Sequence, residues 1–163
     1  MTLSRSIPPD LILASTSPYR RALLERLGLR FRCAAPPFDE EAYPREGLSP
    51  QALAEALALG KAESVFETTP NGVVVGSDQL VSFEGRVFGK PGTAANAVDQ
   101  LARMSGKTHE LVTAMVVIAP DGRRRHTDLT RLTMRRLDRP AIERYVARDR
   151  PLDCAGGYKL EQG

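Results

Sequence analysis

The first long apolar run, "LILA" at residues 11–14, is continuous and stops at "STSP"; beyond Pro18, Leu23, Leu24 and Leu27 recur at helical spacing. The pattern predicts a short buried strand, then a tight turn with Ser17 as N-cap and Pro18 as first helical residue, and a helix that stops near Gly28. "FRCAAPPFDEEAYPREG" (31–47) begins as a strand and turns into a proline-broken loop. Ser49-Pro50 repeats the cap-then-proline signal, and Leu53, Ala54, Leu57 and Ala58 line one face of a helix reaching about Phe66. "VVVGSDQLVSF" (73–83) is strand-like, with an interruption expected at Gly76-Ser77-Asp78-Gln79. "FGKPG" (88–92) reads as a loop, and Thr93 caps a helix whose face is Val98, Leu101 and Ala102, ended by Ser105-Gly106. Residues 109–119 and 126–137 alternate as two strands about the turn Pro120-Asp121-Gly122. Pro140 opens a last helix through Arg148, and "DCAGGYKLEQG" (153–163) ends the chain with no closing element expected.

Strands alternating with helices, plus one hairpin, argue a mixed α/β fold. A length of 163 residues suits one domain, or two small lobes around a shared cleft. Two cysteines, Cys33 and Cys154, form no CxxC pair, so no disulfide framework is expected and a reducing, cytoplasmic setting fits. No run of about 18 apolar residues exists, so no membrane span is expected. The net charge of +3 favours anionic ligands. The late arginines in "DGRRRH" and "TMRRLDR" read as solvated loop and helix charge, and with 6% aromatics no RNA-binding motif emerges.

The strand-to-helix junctions carry the chemistry. A helix N-terminus offers unsatisfied N–H groups and partial positive charge, a natural phosphate site. Ser15 and Ser17 add hydroxyls there, and Arg20 and Arg21 add forked cationic donors. The plain alternative is that Ser17 only caps the helix and the arginines are solvated. Asp78, delivered by an apolar strand, is placed to bind a metal or to take a proton from water; the alternative is a strand-ending Ser-Asp turn. Asp39, Glu40 and Glu41 form an acidic loop, and Lys61 and Lys90 are single cations that in isolation read as surface charge.

Taken together, "LILASTSPYRRALLERLGL", Asp39-Glu40, Lys61-Ala62, "VVVGSDQ", "GKP" at 89–91 and "AGGYKLEQG" resemble, in order and rough spacing, the motifs of the Maf family of nucleotide pyrophosphatases. The resemblance runs from about residue 10 to the C-terminus. It implies a mixed sheet with flanking helices, in two lobes around a central cleft, as in inosine-triphosphatase-like proteins. It also implies hydrolysis of a nucleoside triphosphate to the monophosphate and pyrophosphate, aided by a divalent cation such as Mg²⁺ or Mn²⁺. Carried over residue by residue, phosphate falls to Ser15, Ser17, Arg20, Arg21, Lys61 and Lys90, general base work to Asp78, and metal binding to Glu40 and Asp78.

Subgroups of the family differ at positions that here are Tyr19, Gln79 and Glu161, and this set is most similar to the 7-methyl-GTP pyrophosphatase subgroup, with Tyr standing where Trp is usual. A cationic 7-methylguanine suits an aromatic face at Tyr19 and a carboxylate at Glu161. The alternatives are a dTTP/UTP pyrophosphatase and a non-catalytic nucleotide-binding regulator of septum formation. Family members usually continue beyond the "EQG" equivalent, so a single domain over 1–163 lacking the usual C-terminal segment is expected. The expected partner is the triphosphate, not nucleic acid or membrane, and a homodimer is compatible with the family.

Overall fold

A computed structural model describes residues 10–159 of the chain. Strand β1 (Leu11–Ala14) is followed by helix α1 (Pro18–Glu25), strand β2 (Arg32–Ala34), helix α2 (Pro50–Phe66) and strand β3 (Val73–Phe83). Strand β4 (Arg86–Phe88), helix α3 (Ala94–Met104), the strands β5 (Thr108–Ala119) and β6 (Gly122–Thr133) and helix α4 (Arg139–Asp149) complete the order. One sheet holds the strands in the order β2-β1-β3-β5-β6, with β4 paired to β3. Strand β1 pairs in parallel with both β2 and β3, Leu13 opposite Cys33 on one side and Val75 on the other. Parallel neighbours need crossovers, and α1 and α2 supply them. Only Pro120 and Asp121 separate β5 from β6, a link short enough only for an antiparallel hairpin. The fold is a mixed α/β sheet with four helices among the described residues.

The chain divides into two units. One is built from the segment up to Arg45, Glu55–Asp78 and Ala114–His126. Its buried residues include Ile12, Leu13 and Ala14 of β1, Leu57, Ala58 and Ala62 of α2, Val74 of β3 and Val116 of β5. Alanines at 58 and 62 let α2 press onto β3 at Gly76, where a β-carbon would meet the Ala58 carbonyl and sit 2.8 Å from Ala62 Cβ. This explains why "GSDQ" does not interrupt the strand as expected. The glycine admits a helix, and β3 runs unbroken for 11 residues with Asp78 in its middle rather than at its end.

The other unit takes Glu46–Ala54, Gln79–Thr113 and the chain from Thr127 onward. Its core gathers Val81, Phe83 and Phe88 with Leu101 and Met104 of α3 and Ile142 and Val146 of α4. Helices α3 and α4 start as the caps require: Thr93 Oγ1 accepts from Asn96 N–H and Asp138 Oδ1 from Ala141 N–H.

Three sequence expectations shift. Strand β4, not foreseen, is folded back on β3 by the two-residue turn Glu84–Gly85, with Phe83 opposite Arg86. Strand β6 spans 122–133 rather than 126–137, because the hairpin turn closes within Pro120-Asp121 and pairing starts at once. The arginines 123–125 therefore lie on an exposed strand, not in a loop or helix. Near the C-terminus a short 3₁₀ turn, Ala155–Gly157, forms where no element was expected. Among the described residues no helix is long and apolar enough to cross a membrane.

Candidate active site

The first unit brings together residues from α1, the 38–41 loop, α2 and β3. At the end of β1, buried Ser15 turns its Oγ to accept from Ser17 N–H at 3.1 Å, which shapes the step into the helix. Ser17 Oγ caps α1 by accepting from Arg20 N–H at 3.4 Å, and Pro18 occupies the first turn. The cap reading of Ser17 is therefore realised. The same geometry leaves the helix N-terminus with its partial positive charge beside two hydroxyls.

Asp78 is the focus. It is only 4% exposed, and Lys61, 3% exposed, donates from Nζ to its Oδ1 at 2.7 Å. Lys61 Nζ also lies 3.0 Å from Glu40 Oε1, and Arg20 Nη2 lies 3.9 Å from Asp78 Oδ1. Two cations and two carboxylates thus meet with no net charge. The other oxygen of Asp78, Oδ2, is buried and has no hydrogen-bond partner among the described residues. Burial pushes the Asp78 carboxyl above the usual carboxylate range; Lys61 and Arg20 pull it back in part, and Glu40 adds to the rise.

The loop that presents Glu40 is organised by its neighbours. Asp39 Oδ1 accepts from the N–H groups of Glu41 and Ala42, each at 3.0 Å, which closes a tight turn. The Phe38 ring lies against the backbone at Gly60, next to Lys61. Arg45 Nη2 donates to the Glu40 carbonyl at 3.0 Å. Asp39 is thus occupied in shaping the loop, whereas the Glu40 side chain reaches Lys61.

The other sequence-predicted residues are placed as follows. Arg21 turns along the surface of α1 and donates from Nε to Glu25 at 3.0 Å, so Arg20 and not Arg21 meets Asp78. Tyr19 is exposed at the start of α1. Gln79, in the second unit, donates from Nε2 to Thr113 Oγ1 at 2.9 Å. Lys90, also in that unit, is exposed on the loop between β4 and α3. Glu161 lies outside the described residues. Lys61, expected as a phosphate ligand, lies between the Asp78 and Glu40 carboxylates. The ion cluster itself was not foreseen, since no single segment contains it; an isolated lysine at a core-facing position of α2 was the one available signal.

This arrangement can do definite chemistry. A desolvated carboxylate with one unbonded oxygen accepts a proton or a cation, and a helix N-terminus with an arginine accepts phosphate. Among the described residues no three acidic, histidine or cysteine side chains form a metal cluster. Any divalent ion here therefore draws the rest of its ligands from substrate or water. Mg²⁺ is commonly bound in that way, by one or two carboxylates plus substrate phosphates. The residues present, Asp78 and Glu40, fit such an ion, and the orphaned Oδ2 is the atom it would satisfy.

Comparisons with known proteins give the family. The chain is 51% identical over 153 residues to the 7-methyl-GTP pyrophosphatase of Bdellovibrio bacteriovorus, covering 94% of this chain and 80% of that one. It is 46% identical to the 7-methyl-GTP pyrophosphatase of Xanthomonas oryzae, with the same shares covered. Among solved structures, a HAM1 protein from Coxiella burnetii superposes with a TM-score of 0.53 at 14% identity, over 94% of this chain and 89% of that one; this likeness is one of fold. The family model described as Maf-like protein matches residues 10–163, and the chain belongs to the Maf family.

Proposed function

We propose that this protein hydrolyses nucleoside triphosphates to the monophosphate and pyrophosphate, with 7-methyl-GTP as its preferred substrate. The observation that carries the reading is the desolvated Asp78, held by Lys61 and approached by Arg20 beside a capped helix N-terminus. The water oxygen bonds to the α-phosphorus as its proton passes to Asp78. The bond from that phosphorus to the bridging oxygen breaks, and its electron pair leaves on pyrophosphate. Arg20, the Ser15–Ser17 turn and the N–H groups of α1 hold phosphate oxygens as charge develops on them. Lys61 holds Asp78 and Glu40 in place. Asp78 and Glu40 would bind a divalent cation, Mg²⁺ or Mn²⁺, whose charge would offset that of the phosphates.

The substrate preference rests on the relatives' names and on Tyr19, Gln79 and Glu161. An aromatic face at Tyr19 attracts the cationic ring of 7-methylguanine, and a carboxylate at Glu161 accepts from the guanine N1–H and N2–H₂ edge. Thymine and uracil offer one imide N–H between two carbonyls, so such a carboxylate faces a repelling oxygen.

The test is kcat/KM for 7-methyl-GTP, GTP, dTTP and UTP on one preparation with Mg²⁺, with Asp78→Asn alongside. We expect 7-methyl-GTP to lead and Asp78→Asn to lose ~10²–10⁴ in rate, the usual effect of removing a general base. A lead for dTTP or UTP overturns the preference and leaves the hydrolysis. Nucleotide binding with no pyrophosphate release from any of the four replaces the enzyme with a nucleotide-binding regulator. Phosphate binding by Lys90 and base reading by Gln79 are assigned on the family resemblance, and Lys90→Ala and Gln79→Ala test them in the same assay.

A further inference from the structure

The second unit contains a fastening that the proposed chemistry does not use. The loop Gly89–Gly92 carries Lys90, and it is tied at both ends by the chain just before and within the 155–157 turn. Gly156 N–H donates to the Gly89 carbonyl at 3.3 Å, and Gly92 N–H donates to the Leu152 carbonyl at 3.0 Å. From α3, Asn96 Nδ2 donates to the Pro91 carbonyl at 3.0 Å. Gly156 has φ +74°, and a β-carbon there would lie 2.8 Å from Val81 Cγ2, so only glycine reaches the loop in this way.

Tyr158 and Lys159, at the end of the 152–159 segment, fasten it to β5 and α4. Tyr158 Oη lies 2.8 Å from His109 Nε2 of β5, with the two rings edge to face at 5.5 Å. Lys159 N–H donates to Tyr145 Oη at 3.0 Å, and Lys159 Nζ to the Asp149 carbonyl at 2.9 Å. His109 is 3% exposed, and its Nδ1 is buried with no hydrogen-bond partner among the described residues. A buried imidazole with one nitrogen unbonded is a burden that an apolar ring would avoid. The other nitrogen, Nε2, is engaged by the Tyr158 hydroxyl.

We infer that His109 and Tyr158 are positioning residues: their bond fastens the Leu152–Lys159 segment and through it sets the Lys90 loop for phosphate. The inference rests on the reading of Lys90 as a phosphate ligand. Losing the Tyr158 hydroxyl leaves the ring in place and the Lys159 bonds to Tyr145 and Asp149 intact, but loosens the segment. The two ties to the loop loosen with it, and Lys90 is held less firmly, which weakens substrate binding more than turnover.

The experiment compares wild type, Tyr158→Phe, Lys90→Ala and the double variant, by steady-state kinetics on 7-methyl-GTP with Mg²⁺ and by amide hydrogen exchange. We expect Tyr158→Phe to raise KM by about 3- to 10-fold, the weight of one neutral hydrogen bond, with kcat little changed. The double variant should be no worse than Lys90→Ala alone. Exchange at the Gly92 and Gly156 amides should quicken by a similar factor in Tyr158→Phe, while α2 amides stay as in wild type. Multiplicative effects in the double variant, or unchanged exchange at Gly92 and Gly156, overturn the positioning role. If wild type hydrolyses no triphosphate, the enzymatic reading falls, and the exchange measurement alone decides whether the fastening holds the loop. His109→Phe should match Tyr158→Phe in exchange; a His109→Phe protein that keeps wild-type exchange at both amides also overturns it.

Discussion

Lys61 Nζ sits 2.7 Å from Asp78 Oδ1 and 3.0 Å from Glu40 Oε1, so one buried ammonium from α2 joins a strand carboxylate to a loop carboxylate. Removing one member of a buried pair leaves the other charged in a poor solvent, commonly a loss of ~3–5 kcal/mol. For Lys61→Met we expect no more than that range, because Asp78 can take up a proton and Arg20 remains nearby. Chemical denaturation reads the loss. A variant as stable as wild type would show that the ammonium contributes nothing net to the fold.

The two arginines of α1 should separate in function. Arg20 faces Asp78, whereas Arg21 is engaged with Glu25 on the helix surface. Arg20→Ala should lower kcat/KM by about 10- to 100-fold, the range of a charge-assisted hydrogen bond, and Arg21→Ala by much less. Steady-state kinetics on both variants decides this. Equal losses would show that Arg21 leaves Glu25 for the substrate.

Acid should expose His109. Burial lowers its pKa below the ordinary 6.5. Between its folded value and 6.5 the unfolded chain binds more protons than the native one, so stability rises with pH across that window. The contribution is fully present above pH 6.5 and drains away as pH falls towards the folded value. His109→Phe should flatten this part of the stability curve, as measured by denaturation from pH 5 to 7.5. An unchanged slope would assign the acid sensitivity to other groups.

Gly76→Ala probes the seat of α2 on β3. The new methyl would press on the Ala58 carbonyl and lie 2.8 Å from Ala62 Cβ. Overpacking of this kind costs ~1–3 kcal/mol, and the yielding helix carries Lys61. We expect a lower Tm together with a loss of turnover. Full activity in a destabilised variant would show that Lys61 keeps its place when the helix shifts.

Much of the secondary structure was legible because local rules decide it. Ser17-Pro18, Ser49-Pro50 and Thr93 mark helix starts through caps and proline geometry, and each helix begins where they point. Gly76 misled because glycine has two uses, breaking a strand and admitting a neighbour, and the second depends on α2, which is distant in sequence. Strand β4 was missed because a three-residue strand carries too little alternation to register. At the site, residue types at the strand-to-helix junctions pointed to Ser15, Ser17, Arg20, Arg21 and Asp78, and the family resemblance added Glu40, Lys61 and Lys90. The partnership of Lys61 with both carboxylates, and the diversion of Arg21 to Glu25, depend on side-chain directions that spacing does not reveal. His109 could have been suspected from a histidine in step with Leu111 on the core-facing side of a strand.

The seat of α2 on β3 also bears on the order of folding. Val73–Asp78 cannot be covered by α2 without drawing Lys61 and Asp78 out of water in the same event, since both ride on the surfaces that close. Docking with either group unpaired would leave a buried charge uncompensated or force a proton onto the carboxylate, so folding favours the fully docked helix. The contacts that complete the hydrophobic layer here are the same contacts that desolvate the Asp78 carboxylate.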